Sequence, residues 1–434
     1  MYSKELYFEK MLPDAYHAAA LIEPGEAVCC SMMDGIPHTF LDALSERADL
    51  LPNLTVFLGT LGREVNLLPT PGSNRIVIED YFFGETERGM PAGRGISYVP
   101  SHLSDFPSGM RGRKRYAAVL TAAGPDNDGN FSTGPVPFEP ELLKGATRII
   151  LQVDSRKPFI YGRGRLIPLE KISAFYHLDE ALEPTLLPPP ACEDRAIAQR
   201  IAELVPDGAC IQLGIGRIGA LTGSFLKDKR DLGIHSEIFT DTMVDLIQCG
   251  AVNNSRKQCL PGKSVFGASL TGSRAGAFLD RNPSCFGAPF SWVNDPRIIA
   301  KNRNVVSVNG ALQIDLYGQV CAESLGFRQI SGTGGQADFV RGAAWSEGGM
   351  SFIAAPSCWY DRNVVRHSRI TLALSPGSAV TTPRSDTHYV VTEYGAANLR
   401  GKTLDARARL LISLAHPDFR DELTFEARRA GLII

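Results

Sequence analysis

The chain has 434 residues, of which 44% are hydrophobic and 21% are charged. This balance excludes a disordered or integral membrane protein, and the length requires more than one hydrophobic core. The 45 basic residues nearly cancel the 47 acidic ones, so the chain has no global charge with which to hold nucleic acid or an anionic bilayer.

The first residues, MYSKELYFEKMLPDAYHAA, carry charges and contain no apolar run of signal-peptide length. The sequence has no stretch of about 18 consecutive apolar residues, so we expect no transmembrane helix. The nine cysteines form no CxxC pair and have no histidine at zinc-ligand spacing. We therefore expect a cytoplasmic protein with reduced cysteines and no bound metal.

The first part of the chain alternates apolar runs with segments of helical periodicity. The strand-like runs are AVCCSMM, LTVFLG, NRIVIEDYFFG, AAVLTAAG and TRIILQVD. The segments TFLDALSERADL and EPELLKGA have the spacing of amphipathic helices. A Pro-rich stretch, LEPTLLPPPACED, then interrupts both patterns and predicts a semi-rigid linker near residues 183–192. We place a first domain at residues 1–185 and a second at residues 190–434.

The same pattern restarts after this linker. DRAIAQRIAELV predicts an amphipathic helix, and strand-like runs follow at ACIQLG, HSEIFTD, NVVSVNG and SFIAAP. Short βα units with apolar strands predict largely parallel sheets covered by helices, with ligands at the carboxyl ends of the strands. The predicted fold class is therefore α/β, with two similar domains and an active site between them.

A glycine turn follows the first predicted strand of the second domain. In CIQLGIGRIGALTGSFL, Gly214, Gly216 and Gly219 match GxGxxG between a strand and a helix, which is the context of a dinucleotide site. Glu237 lies near the position, about 20 residues further on, where such sites have an acidic residue for the ribose. A βαβ unit that binds no nucleotide has the same spacing. The pattern alone is equally compatible with an NAD-dependent oxidoreductase, with another anion site of backbone amides, and with a structural turn.

A second glycine-rich loop, RQISGTGGQADFVRGA, brings Gly332, Gly334 and Gly335 together and lets backbone amides approach a ligand. Three further stretches accompany it: VNGALQIDLYGQVCAES, HYVVTEYGAANLRGKTLDARARLL and AHPDFRDEL. Together these four features strongly resemble the acetyl-CoA hydrolase/transferase family of class I CoA-transferases. The resemblance runs through the second half and continues, more weakly, into YVPSHLSDFP and DNDGNFSTGPV of the first half.

The resemblance implies a CoA-transferase that uses acyl-CoA as a substrate and needs neither a metal nor NAD. Glu237 would be its carboxylate nucleophile, and backbone amides near Ile215 and Gly334 would stabilise the oxyanion. The reaction would be ping-pong, through a glutamyl anhydride and a glutamyl-CoA thioester. An acyl-CoA hydrolase would use the same glutamate with water as the acceptor. The residues of the CoA-binding turns would be Gly214, Gly216, Gly332, Gly335 and Gln336.

For Gln336, a purely structural hydrogen bond is an equally good interpretation. The basic stretch SGMRGRKRY contains Arg111, Arg113, Lys114 and Arg115, which suit the phosphates of CoA, although we favour a solvated surface there. We expect small-molecule partners, no nucleic acid and no membrane, and a homodimer as the default state of such an enzyme.

Two kinds of acceptor acid are compatible with the sequence. Arg217 stands in the glycine turn where relatives commonly carry a small or uncharged residue. With Arg63, it would hold the distal carboxylate of a dicarboxylic acid such as itaconate or succinate. In the alternative, a mostly apolar pocket with Met32 and Met33 would bind acetate, butyrate or 4-hydroxybutyrate.

Overall fold

A computed structural model describes residues 2–68, 76–90, 95–180, 188–269 and 274–434 of the chain. The chain divides into two compact units, Met1–Thr185 with Val265–Val293, and Leu186–Ser264 with Asn294–Ile434. The prediction placed all of residues 190–434 in one domain, whereas residues 265–293 group with the first unit. The predicted linker near residues 183–192 lies partly outside the described residues.

The first stretch of the first unit contains the elements that the alternating pattern predicts. Its helices are α1 (Lys4–Lys10), α2 (Ala15–Ala19), α3 (His38–Ser45), α4 (Glu85–Gly89) and α5 (Pro140–Gly145). Its strands are β1 (Ala27–Met32), β2 (Leu54–Gly59), β3 (Ile76–Asp80), β4 (Ile96–Tyr98), β5 (Tyr116–Ala122), β6 (Asn130–Ser132), β7 (Arg148–Val153), β8 (Leu166–Pro168) and β9 (Ala174–His177). Short 3-10 helices lie at Met33–Gly35, Ala48–Leu50, Leu103–Met110 and Leu169–Lys171.

The main sheet of the first unit is parallel throughout, in the order β4-β3-β2-β1-β5-β7-β9. Every residue of β5 is buried, and β1 and β2 are buried at all but one position each. Such continuous apolar runs are typical of parallel strands that are covered on both faces. The strand order reverses at β1, which has β2 on one side and β5 on the other. Ligands of doubly wound sheets bind at such a switch point, outside the carboxyl ends of the strands.

The chain then forms α6 (Cys192–Leu204), β10 (Cys210–Leu213), α7 (Arg217–Phe225), β11 (Gly233–Phe239) and α8 (Asp241–Gln248). The elements of the segment that belongs to the first unit are β12 (Ser264–Ser269), α9 (Arg274–Leu279), β13 (Cys285–Gly287) and α10 (Phe290–Val293). The later helices are α11 (Pro296–Ile299), α12 (Gln336–Trp345), α13 (Leu404–Leu414) and α14 (Pro417–Arg429). The later strands are β14 (Val305–Gly310), β15 (Gln313–Asp315), β16 (Val320–Cys321), β17 (Ser324–Leu325), β18 (Arg328–Gln329), β19 (Met350–Ala354), β20 (Cys358–Tyr360), β21 (Arg366–Ser368), β22 (Ile370–Thr371), β23 (Tyr389–Thr392) and β24 (Gly395–Asn398).

The strands of the second unit repeat the doubly wound arrangement in the order β11-β10-β14-β19-β23-β24. The pairs from β11 to β23 are parallel, and β24 closes the edge as an antiparallel hairpin with β23. The order reverses at β10, where Ile211 lies opposite Ile234 of β11 and Val306 of β14. The glycine turn after β10 therefore lies at the switch point of this sheet.

A buried cation holds residues 265–293 to the first unit. Arg165 is fully buried and donates hydrogen bonds to the carbonyl oxygens of Gly134 and Gly267. A β-carbon at Gly287 would lie 2.7 Å from Arg165 Nε, so the close approach of this strand requires glycine there. Because a buried charge is tolerated only when it is hydrogen-bonded, these contacts favour the first unit for this segment.

The predicted fold class, α/β with largely parallel sheets, is confirmed in both units. In the described part of the chain, no helix combines the length and the apolar character needed to cross a bilayer.

Candidate active site

Glu237 lies near the carboxyl end of β11, where its carboxylate is half-buried. Its Oε2 accepts a hydrogen bond of 2.7 Å from Nδ2 of Asn294. Asn294 is fully buried, and its Oδ1 has no hydrogen-bond partner among the described residues. The carboxylate is therefore held at one oxygen by a rigid, buried amide.

Gly335 forms the second contact of this carboxylate. Its backbone N–H donates a hydrogen bond to Glu237. A β-carbon built on Gly335 would lie 1.9 Å from Glu237 Oε2 and 2.1 Å from Asn294 Nδ2. Both distances are far below van der Waals contact, so glycine at this position leaves the space that the carboxylate and the amide occupy.

The surroundings of Glu237 disfavour its charged form. The pKa of Glu237 is raised to about 7: burial has the largest effect and the nearby charge of Asp338 also raises the pKa, whereas the hydrogen bonds from Asn294 and Gly335 lower it. Asp338 is buried in the first turn of α12. A carboxylate with this pKa is more basic than an ordinary glutamate and is still largely ionised slightly above neutral pH.

The glycine turn after β10 leads directly into α7. Counting three residues on from the pair Ile211 and Ile234 sets Gly214 level with Glu237. Helix α7 has Gly216 as its N-cap, without a side-chain hydrogen bond, so its first backbone N–H groups are available to an anion. Ile215 is exposed in the same turn.

The third glycine of the GxGxxG pattern has a packing role. A β-carbon at Gly219 would lie 2.0 Å from the carbonyl oxygen of Gly214, because the helix packs closely on the turn. This close approach accounts for the third glycine without a nucleotide.

The second glycine-rich loop precedes α12, whose N-cap Gly335 likewise makes no side-chain cap. Gly334 has φ +59°, a left-handed conformation that favours glycine, and Gly332 is buried. Gln336 is buried, and its Nε2 donates to Oγ1 of Thr382 over 3.1 Å. The side chain of Gln336 therefore makes a structural hydrogen bond within the second unit.

The two arginines predicted to bind substrate have acidic partners. Arg217 Nε lies 2.9 Å from Oδ2 of Asp194, whose side chain is 2% exposed. Arg63 Nη2 lies 2.8 Å from Oε1 of Glu180 and 3.4 Å from Oδ2 of Asp42. Both guanidinium groups are thus partly neutralised, and a substrate carboxylate would compete with these partners.

The predicted methionines belong to the first unit. Met32 is the buried last residue of β1, and Met33 follows it with φ +48°. The backbone N–H of Met33 donates to the carbonyl oxygen of Thr60, the residue after β2, over 3.0 Å. Both methionines therefore lie at the carboxyl end of β1, beside the switch point of their sheet.

The basic stretch before β5 is largely occupied by ion pairs. Arg113 contacts Glu79 at 2.6 Å, and Arg115 contacts Glu23 at 2.6 Å. Arg111 contacts Asp105 at 2.9 Å. These pairs agree with the solvated surface that we favoured for this stretch.

Asn294 and Asp338 are the residues that the sequence analysis missed. Asn294 stands 57 positions after Glu237, in a segment without a recognisable motif. Asp338 lies within the second glycine-rich stretch but carries no signature of its own. Among the described residues, no group of three or more His, Cys, Asp or Glu side chains is placed to hold a metal ion.

Comparisons with known proteins show the family to which this chain belongs. Residues 273–427 match the acetyl-CoA hydrolase/transferase C-terminal domain. Over its full length the chain is 38% identical to a succinyl-CoA:cyclohexane-1-carboxylate CoA transferase of Geobacter metallireducens, 98% of which is covered. The chain belongs to the acetyl-CoA hydrolase/transferase family. The family resemblance drawn from the four sequence features, and the enzyme class that it implied, a CoA-transferase, are thereby confirmed.

Further members of this family match over nearly their whole length. A 4-hydroxybutyrate coenzyme A transferase of Clostridium kluyveri is 37% identical, with 98% of this chain and 99% of that protein aligned. The crystal structure of RipA from Yersinia pestis superposes with a TM-score of 0.91 at 36% identity, and 100% of both chains is covered. The fold is therefore that of a solved relative throughout the chain.

Proposed function

We propose that this member of the family transfers CoA between an acyl-CoA and a small carboxylic acid, with Glu237 as the nucleophile. The observation that supports this proposal most directly is the carboxylate itself. It is half-buried, has a pKa of about 7, and is held by the amide of Asn294 and the N–H of Gly335. The donors that orient Glu237 are neutral, so its charge is not offset by a salt bridge to either of them, and a carboxylate of this kind can act as a nucleophile.

The first half-reaction consists of two nucleophilic substitutions, each at a carbonyl carbon. An oxygen of Glu237 attacks the thioester carbonyl, the C–S bond breaks, and CoA leaves as a thiolate from an acyl-glutamyl anhydride. The thiolate then attacks the glutamyl carbonyl of the anhydride, and the donor acid leaves as a carboxylate. The product is a glutamyl-CoA thioester, and the acceptor acid reverses both substitutions to form the new acyl-CoA.

Each substitution forms an oxyanion that preorganised N–H groups can stabilise, at roughly 3 kcal/mol for one donor. The uncapped turn at Ile215 and Gly216 and the loop at Gly334 are the proposed sources of these donors. Gly214, Gly332, Gly335 and Gln336 complete the proposed CoA-binding turns. Of these residues, Gly335 binds the carboxylate of Glu237 through its backbone N–H, and the side chain of Gln336 is hydrogen-bonded to Thr382.

The acceptor is proposed to be a short carboxylic acid, in agreement with the names of the relatives. For a dicarboxylic acid, Arg217 would exchange part of its contact with Asp194 for the distal carboxylate. For a monocarboxylic acid, Met32 and Met33 would line the apolar pocket. A distal charge in an apolar pocket is costly, so the preference between the two acids depends on whether Arg217 is accessible.

The deciding experiment is intact mass spectrometry after incubation with acyl-CoA in the absence of an acceptor acid. We expect a CoA-sized adduct on the wild-type chain and none on Glu237→Gln. Glu203→Gln, which changes an exposed glutamate of α6, is the matched control and should retain the adduct. An adduct that persists in Glu237→Gln would refute the assignment of the nucleophile. CoA release at a rate independent of added acid would instead indicate a hydrolase.

A further inference from the structure

Two buried carboxyl groups meet in the first unit, where β2 and β3 end. Asp80 is the last residue of β3 and is fully buried, and Glu87 lies in α4 with 4% of its surface exposed. The two side chains lie within hydrogen-bonding reach of each other. Because two carboxylates repel each other and neither can donate, this buried contact is stable only if the pair holds a proton.

The hydrogen bonds around the pair indicate which oxygen carries this proton. The pair accepts backbone N–H groups from two turns, at Thr60 and Leu61 after β2 and at Phe82 and Gly84 after β3. Each oxygen of Glu87 accepts one of them, at 2.6 and 2.7 Å, and Oδ1 of Asp80 accepts the other two, at 2.8 and 3.2 Å. Oδ2 of Asp80 is buried and receives no hydrogen bond from the described residues. A proton on Oδ2, donated to Glu87, satisfies this atom and removes the repulsion.

The electrostatics of the pair agree with this assignment. The pKa of Asp80 is raised well above its ordinary value: burial has the largest effect and the like charge of Glu87 adds to it, whereas the N–H groups of Phe82 and Thr60 lower it. Two adjacent carboxyl groups of this kind titrate as a unit and keep one proton over a wide range of pH.

Other ionisable side chains beside the two turns have partners of their own. Glu79 of β3 contacts Arg113 at 2.6 Å, and Arg63, in the turn after β2, contacts Glu180 at 2.8 Å. Nε2 of His38 donates to a carbonyl oxygen of the same turn, and burial lowers the pKa of His38, so its ring is neutral at pH 7. The charge of the acid pair is therefore set mainly by its own proton.

The peptide group between Thr60 and Leu61 connects this pair to Met33. Thr60 has φ +49°, a left-handed conformation that persists in a residue other than glycine only where the surroundings hold it. Its N–H binds Asp80, and the N–H of Leu61 binds Glu87. The carbonyl oxygen of Thr60 belongs to the same peptide group as the N–H of Leu61, and it accepts the N–H of Met33 over 3.0 Å. The acid pair therefore fixes the peptide group that binds Met33.

We propose that Asp80 carries a proton at neutral pH and donates it to Glu87, and that this acid pair positions the turn at Thr60 and Leu61 and, through it, Met33. The consequence for catalysis rests on the proposed function, in which Met33 lines the pocket of a monocarboxylic acceptor. Both acids act through Met33 and are positioning residues.

The first test is the pH dependence of stability in Asp80→Asn. Asparagine has the shape of the protonated acid, keeps Oδ1 as an acceptor and donates to Glu87 from Nδ2. In the wild type, folding favours the proton, so this contribution to stability is complete below the ordinary aspartate pKa of about 4 and is lost as pH rises towards the raised pKa. Asparagine has no proton to lose. The Tm of Asp80→Asn relative to the wild type should therefore rise between pH 5.5 and pH 8.5.

The second test uses Glu87→Gln, whose amide places a donor against one of the backbone N–H groups that Glu87 accepts. Hydrogen exchange of the full-length chain, followed by mass spectrometry, should become about tenfold faster in the two turns. The KM for butyrate should rise several-fold with kcat nearly unchanged, because Met33 loses its support while Glu237 is untouched. A loss of folded enzyme alone would leave KM unchanged. Asp80→Asn should retain the exchange rate and the KM of the wild type.

Asp315→Asn is the matched control for the first test. Asp315 is fully buried at the end of β15, but both of its oxygens accept hydrogen bonds, from the backbone of Tyr317 and from the backbone and side chain of Gln319. The Tm of Asp315→Asn relative to the wild type should not change between the two pH values.

A Tm difference for Asp80→Asn that is the same at pH 5.5 and pH 8.5 would overturn the shared proton. An unchanged KM for butyrate in a folded Glu87→Gln enzyme would overturn the positioning of Met33. Asp80→Ala, which removes the proton and the Oδ1 acceptor together, provides the same measurement if Glu87→Gln does not fold. If the wild type forms no adduct at Glu237, the proposed reaction fails, whereas the Tm comparison still decides the shared proton.

Discussion

Gly335 and Glu237 share a space that has room for no additional carbon atom. The backbone N–H of Gly335 binds the carboxylate, and a β-carbon at the same residue would overlap Oε2 at 1.9 Å. The position of the proposed nucleophile thus depends on the absence of a side chain 98 positions later in the sequence (335 − 237).

Replacement of Gly335 by alanine is expected to displace the carboxylate and to lower kcat by about 100-fold, the order of effect of a misplacement near 1 Å. Gly335 has φ −99°, so the substitution introduces no backbone strain and tests the overlap alone. The measurement is the steady-state rate of acyl transfer. Gly89→Ala, where nothing lies within 4 Å of the added carbon, is the control and should remain close to wild type. A fully active Gly335→Ala enzyme would contradict this arrangement.

The rate should depend on pH through the raised pKa of Glu237. Because the ionised carboxylate is the nucleophile and its pKa is about 7, kcat/KM for acyl-CoA should fall below neutral pH and level off above it. The measurement is a pH profile of kcat/KM, in which the decrease below neutral pH is the acid limb. A profile that is flat from pH 5.5 to 8.5 would be inconsistent with Glu237 as a base-form nucleophile.

Ionisation of Glu237 should also affect the stability of the fold. A rise in pH favours the reaction, but it should lower this stability. The folded state has the higher pKa, so folding favours the proton, and the stability that the neutral group contributes is lost as pH rises through about 7. Glu237→Gln keeps the neutral form at every pH. Its Tm should therefore exceed that of the wild type more at pH 8.5 than at pH 5.5. Equal differences at both pH values would argue against a raised pKa of Glu237 in the folded state.

Removal of the Asn294 amide should raise the pKa of Glu237 further, because this hydrogen bond favours the charged form. For Asn294→Ala we expect the acid limb of kcat/KM to move to higher pH, with a loss of about tenfold or more at pH 7. Asn302→Ala is the control: Asn302 is equally buried but donates toward His235 and accepts from Cys259 N–H. That variant should lose stability without moving the limb. If the acid limb of Asn294→Ala lay at the same pH as that of the wild type, the amide of Asn294 would not lower the pKa of Glu237.

Arg217 and Asp194 allow the dicarboxylate hypothesis to be separated from a structural ion pair. Both Arg217→Ala and Asp194→Asn break the pair, and each should cost about 1–2 kcal/mol, less than a fully buried pair because the guanidinium is partly exposed. Their effects on substrate choice should differ. Arg217→Ala should lose preference for succinate over butyrate, whereas Asp194→Asn frees the guanidinium and should retain it. The check is the ratio of kcat/KM for the two acids. Equal ratios in the wild type and Arg217→Ala would eliminate this role of Arg217.

Local patterns predicted much of what the structure shows. Runs such as ACIQLG and NVVSVNG form β10 and β14, because parallel strands covered on both faces must be apolar along their whole length. The glycine turn that contains Gly335 was identified from a short motif, and the role of Glu237 was implied by the family resemblance. The grouping of residues 265–293 with the first unit had no such signal, since it depends on contacts such as that of Arg165 with Gly267.

The sequence by itself determined the α/β class and the two glycine turns, because periodicity and glycine positions reflect the backbone conformation of a few neighbouring residues. Its resemblance to a known family also indicated the family and implied the role of Glu237. Only the tertiary structure decided that Asn294 orients the carboxylate, that Asp194 holds Arg217, and that Arg281 stacks on Phe159. These contacts join residues far apart in the chain. Strand register and side-chain packing set them, and no local pattern encodes which distant residue meets which.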